Sequence, residues 1–231
     1  MTDVEQSGKP DWWARGISGA ALVLSILSLF FFDVPERYLL PAVELIMPPE
    51  ARLAQIQNKP GSEVYSVRVY LQPAFVSTGR SQRVAVLKSV NLFVQREGEP
   101  QKKFWLDGIG SFADNPAGRG LTFTYERGAA PLVATQDTPE NNVLVFELRE
   151  DADIQHVEHP YFEGKDHYLM TLVAKTNTKP KTLCSAINVT ADEAALEARA
   201  QKYLEGPPEG RNFVTSGARQ ADTPVDCPSS G

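Results

Sequence analysis

All three histidines of the chain lie in one short stretch, Gln155-His-Val-Glu-His-Pro-Tyr-Phe-Glu-Gly-Lys-Asp-His167. Imidazole nitrogens at His156, His159 and His167, with the carboxylates of Glu158, Glu163 and Asp166 among them, are the donor types that zinc and copper take. The spacing argues against a site. On a strand, residues three apart face opposite ways, so His156 and His159 converge only if Pro160 bends the chain. The stretch therefore reads as a hairpin loop whose histidines meet solvent, and neither a metal nor another cofactor is expected.

Nucleophilic catalysis has less to stand on. The chain has no Gly-x-Ser-x-Gly elbow, and neither cysteine lies near a histidine in sequence. The carboxylates of Glu147-Leu-Arg-Glu-Asp-Ala-Asp153 could exchange protons or ligate calcium, but the oxygen spacing of an EF-hand and its glycine are missing. They read as a charged sheet edge that blocks edge-to-edge pairing. Gly108-Ile-Gly110 and Gly118-Arg-Gly120 are glycine pairs in a strand context with no helix behind them to hold a phosphate, so they read as turns or bulges. The expectation is a protein that is not an enzyme.

Cys184 and Cys227 form no Cys-x-x-Cys pair of the zinc or redox kind. An isolated pair suits one disulfide in an oxidising compartment, closing a loop of about forty residues and contributing on the order of 3 to 4 kcal/mol. The formal charge of -6 offers no basic stripe to replace phosphate counterions, which excludes a nucleic-acid partner.

The elements that would position any site divide at Asp33. Between Arg15 and Asp33 lie seventeen uncharged residues, which as a helix would reach roughly 25 Å against a bilayer core of about 30 Å. Trp12 and Trp13 extend the run at the headgroup level. Residues 12–32 thus read as one transmembrane helix, an uncleaved anchor, because no small-x-small cleavage site follows Phe32. Arg15 abuts one end while Asp33 and Glu36 lead at the other, which places the N-terminus in the cytoplasm and the bulk outside it. The expected address is a bacterial inner membrane with a periplasmic domain.

Residues 1–11 read as a disordered tail and residues 33–61 as a Pro-rich connector. Within the connector, Tyr38 to Met47 is an apolar run that packs on the following domain, and Glu50 to Gln57 could make two helical turns. From Ser62 the apolar period becomes two. Tyr65 to Leu71, Arg83 to Gln95, Leu121 to Tyr125, Asn142 to Arg149 and His167 to Lys175 read as strands, separated by turn signals such as Glu97-Gly-Glu-Pro100 and Glu163-Gly-Lys165. Strands at that spacing predict an antiparallel β-sandwich of immunoglobulin-like architecture over residues 62–190. The likeness is architectural only, since Trp105 precedes both cysteines and Cys227 sits in a Pro-rich tail.

Thr190 with Glu193 fits the capping box, which predicts a C-terminal helix over 191–206, and residues 207–231 read as a flexible tail. The whole is a mainly β, single-pass protein with two expected partners: membrane lipid through the anchor and another protein of unspecified identity. Its function class is presentation of an extracytoplasmic β domain for protein-protein interaction or complex assembly. The alternative is a membrane-tethered ligand- or metal-binding sensor or carrier module.

Overall fold

The computed structural model describes residues 22–25, 42–57, 63–78, 85–114, 121–129, 131–134, 142–149, 157–178, 181–204, 213–221 and 227–228. Its strands, in chain order, are β1 (Ala42–Ile46), β2 (Glu50–Gln57), β3 (Tyr65–Leu71), β4 (Ala74–Thr78), β5 (Ala85–Arg96), β6 (Lys102–Asp114), β7 (Leu121–Gly128), β8 (Leu132–Ala134), β9 (Val143–Leu148), β10 (His167–Thr176), β11 (Thr182–Thr190) and β12 (Val214–Gln220). Helix α1 (Glu193–Leu204) lies between the last two.

Eight of these strands close into an antiparallel barrel in the order β6-β9-β3-β2-β12-β11-β10-β5, with β5 pairing back onto β6. Strand β7 extends the sheet from β6, β8 extends it from β5, and β1 pairs with β4 in a separate hairpin. The barrel corrects the expected sandwich. Alternation sends Val67, Val69 and Leu71 to one face of β3, and Leu144, Phe146 and Leu148 to one face of β9, in either architecture. What separates the two is whether the sheet ends meet. They meet because β6 is thirteen residues long and shifts register between Leu106 and Gly108 and again between Ile109 and Gly110. Such bulges bend and twist a long strand, so β6 pairs successively with β5, β9 and β7. The β5–β6 hairpin turns at Gly98, whose φ of 79° suits a residue without Cβ.

Eight strands enclose a space that side chains fill. Tyr168, Phe104, Phe146, Phe162, Leu53, Leu92 and Met170 fill it here, each under 2 % exposed. Burying one such side chain contributes about 1.5–3 kcal/mol. Apolar residues inside and charged ones such as Arg68 and Lys88 outside reverse the pattern of a barrel that spans lipid.

Two stretches expected outside the domain belong to it. Residues 50–57, within the expected connector, form β2 between β12 and β3, with Leu53 fully buried; they are strand, not helix. Residues 214–220, within the expected tail, form β12 between β11 and β2. In both, pairing on two sides decides a conformation that local propensity leaves open. Of the apolar run before β2, Val43 joins the main core with Leu45 and Met47 against it, as expected, while residues 38–41 lie outside the described residues.

Helix α1 forms where expected, but its cap is Asp192, whose side chain accepts from the Ala195 N–H at 3.2 Å. Thr190 remains the last residue of β11 and bonds His167 instead. Glu193 does not reach back in a capping box; its Oε2 accepts from the Gly164 N–H at 2.5 Å.

Residues 1–40 with 80–83 form a unit apart. Within it residues 22–25 are helical and Leu22, Val23 and Leu24 are exposed; the rest of the expected span of 12–32 lies outside the described residues. Among the described residues, no helix is long and apolar enough to cross a membrane.

Candidate ligand-binding cleft

Residues 157–162 bond to strands β2, β3 and β5 and plug the space between them. Val157 and Tyr65 exchange backbone hydrogen bonds at 2.8 and 3.0 Å. Gln55 Oε1 then accepts from the N–H groups of both Tyr161 and Phe162 at 2.9 Å. Phe162 is fully buried and meets Tyr168 edge-on with ring centroids 5.1 Å apart. The Tyr161 hydroxyl donates to the Val94 carbonyl at 3.0 Å. Burial, and after it the neighbouring Tyr168, raises the Tyr161 pKa above that of an ordinary phenol. The hydroxyl is therefore a fixed donor, and the ring a fixed wall.

Between this plug and the start of β6 is a cleft of about 610 Å3, within the range of small-molecule sites. Its described walls carry Lys102, Lys103, Arg149 and His159, together with the rings of Trp105 and Tyr161. Lys103 Nζ stands 3.7 Å from the centroid of the Trp105 ring, a cation-π contact that keeps an ammonium at the wall. No carboxylate is among the described lining residues. In a chain of net charge -6, the described lining thus carries cationic side chains beside aromatic ones.

Arg149 is held from behind. Its Nη2 donates to Asp107 Oδ1 at 3.1 Å and lies 3.8 Å from Glu147 Oε2. Glu147, only 1 % exposed, accepts through Oε1 from Ser66 Oγ at 2.9 Å and Arg68 Nε at 3.1 Å. For Arg68, burial is the largest single influence and works against the charged form, but the charges of Glu147 and Tyr70, the hydrogen bond to Glu147 and the charge of Asp107 together outweigh it and the pKa rises. Tyr125 donates to the Asp107 carbonyl at 2.8 Å. The expected charged sheet edge at Glu147 is thus corrected: β9 is an inner strand between β3 and β6, and Glu147 is buried in an ion-pair network outside the barrel wall. Its continuation, residues 150–153, lies outside the described residues.

The structure scatters the histidine segment. His156 lies outside the described residues, His159 lines the cleft, and His167 Nδ1 is 3.0 Å from Thr190 Oγ1. Glu163, at 3.0 Å, and Asp166 both pair with Arg96. Glu158 is exposed. Among the described residues no three His, Cys, Asp or Glu side chains are grouped as a metal site. Gly108 and Gly110 sit at the β6 bulges, as expected, while Gly118 and Gly120 lie outside the described residues. Cys184 lies on β11, and Cys227 is exposed.

Sequence reasoning missed Lys102, Lys103, Trp105, Arg149 and Tyr161. The adjacent lysines two residues before a tryptophan were a visible cue in an acidic chain, but their convergence with Arg149 needs the β6–β9 register, Phe104 opposite Leu148. No protein-family model, curated protein or solved structure matches the chain. Function must be argued from the cleft.

Proposed function

We propose that this chain is a membrane-tethered, non-catalytic binding module. Residues 12–32 hold it in the bilayer, the barrel stands on the extracytoplasmic side, and the cleft takes an anionic ligand. One observation carries the binding role: three cationic side chains and two aromatic rings converge on a cavity whose described walls hold no carboxylate. That convergence favours the ligand-binding alternative over protein assembly. Support for the tether comes from the uncharged run between Arg15 and Asp33.

Extraction tests both parts. The full-length chain is expected to resist carbonate washing and to leave the membrane only with mild detergent; release by carbonate overturns the tether. Mass analysis of the extracted protein is expected to find a small organic anion. A stoichiometric protein partner without such an anion returns the function to complex assembly.

A further inference from the structure

Building on that binding role, we propose that the cleft selects organic anions with a flat apolar body. The anionic group meets Arg149, and the body lies along Trp105 and Tyr161. Arg149 is the recognition residue, and Asp107 and Glu147 are its positioning residues.

Three observations converge on this assignment. Arg149 is the cleft cation whose side chain is most constrained: it is 17 % exposed and anchored through Nη2 by Asp107 and Glu147. An arginine fixed in this way loses little rotamer freedom on meeting a ligand, and its planar fork suits carboxylate or phosphate. Its Nε is buried without a hydrogen-bond partner among the described residues, as is Glu147 Oε2. That Nε is closed off within the protein, so an acceptor in the cleft meets the part of the side chain that is still exposed. Lys102 and Lys103, on the β6 strand that pairs with β9, also line the cleft, where flexible ammonium groups raise the local anion concentration more than they fix geometry.

The apolar half of the ligand follows from the rings. Tyr161 is locked by its bond to Val94 and by edge contacts with Phe104 at 5.4 Å and Phe162 at 5.3 Å. Trp105 is held by Lys103, and Pro160, Val157 and Leu148 complete an apolar floor. A fully hydrated inorganic anion would leave these surfaces wet. A ring or short hydrocarbon bearing one anionic group covers them.

The test uses the full chain in mild detergent, labelled with 5-fluorotryptophan. The Trp105 fluorine resonance is assigned by its absence in Trp105→Phe, and Trp12 and Trp13 report any partition of probe into detergent. Three probes share one ring system: 2-naphthoate, 2-naphthyl phosphate and the neutral 2-naphthalenemethanol. At least one anion is expected to shift the Trp105 resonance at about tenfold lower concentration than the alcohol, the ratio that one charge-assisted hydrogen bond supplies; the tighter anion names the headgroup. Arg149→Lys, which keeps the charge and removes the fork, is expected to erase most of that preference. Lys102→Gln with Lys103→Gln, at the rim, is expected to weaken both anions a few-fold and flatten their salt dependence. Equal response to anion and alcohol overturns anion selection while leaving the cleft a binding site. No response of Trp105 to any probe overturns the binding role itself. An unchanged preference in a folded Arg149→Lys protein removes Arg149 from its assigned place.

Discussion

Gln55 Oε1 accepts a hydrogen bond at 2.9 Å from the N–H of Phe162, 107 residues further along the chain. One amide side chain of β2 thereby ties the plug segment to the barrel wall, because the same oxygen also takes the Tyr161 N–H. Gln55→Leu is expected to leave both donors without their acceptor. At about 1–3 kcal/mol for the buried Phe162 N–H and about 1 kcal/mol for the part-buried Tyr161 N–H, the loss is about 2–4 kcal/mol, read as a fall in the urea midpoint with an unchanged slope. A change under half a kcal/mol would mean that water replaces the amide.

The two bulge glycines predict unequal costs. A Cβ at Gly110 would meet the backbone oxygen of Thr124 and the Phe123 ring, whereas one at Gly108 would meet only the outer atoms of Tyr125. Tyr125 is 51 % exposed and can swing aside; a backbone oxygen in a paired strand cannot. Gly110→Ala is therefore expected to destabilise by about 1–3 kcal/mol, the range for overpacking, and Gly108→Ala by clearly less. Thermal melts of the two proteins side by side give the comparison.

Glu147→Met removes a buried carboxylate and leaves Arg68 and Arg149 with one acid, Asp107, between them. Breaking a fully buried pair costs about 3–5 kcal/mol, but the Arg68 side chain is 39 % exposed and water takes up part of its charge. The expected loss is about 1–3 kcal/mol by chemical denaturation, largely recovered in Glu147→Met with Arg68→Met.

Alkaline pH is expected to weaken the fold through its phenols. Burial raises the pKa of Tyr161, Tyr168 and Tyr125 above the ordinary 10.0. Above pH 10 the unfolded chain sheds phenolic protons that the native chain keeps, so the unfolded state binds fewer protons and stability falls as pH rises. Below pH 10 this contribution is present in full. Ultraviolet titration of phenolate is expected to show Tyr161 and Tyr168 ionising only as the protein unfolds, the exposed Tyr125 ionising before that, and Tyr161→Phe to shallow the decline.

Much of the barrel was legible because inward residues of a strand recur at period two. Tyr65–Leu71 was predicted to the residue, and β5, β9 and β10 were predicted to within two at each end. Four barrel strands were not legible, β2, β6, β11 and β12, and β2 and β12 escaped for opposite reasons. Glu50–Gln57 carries helix formers, and only its neighbours β3 and β12 impose extension. Val214–Gln220 is small and polar, with Gly217 at its centre, so no periodic signal marks it. Closure was illegible too, since it depends on which strands meet at β5 and β6. The histidines drew notice by chemical type, yet the cleft is built mainly from lysine, arginine and aromatic residues brought together by register.

The partners of β2 have a consequence for how the protein is made. Val214 of β12 lies opposite Leu53 of β2, so a nascent chain emerging from the ribosome cannot seal this ring until almost all of the domain has been synthesised. Early strands must wait with an unsatisfied backbone edge, which slows folding and exposes them to aggregation. Until β12 arrives, β2 is therefore paired on its β3 side alone, and the last strand made is the one that completes the ring.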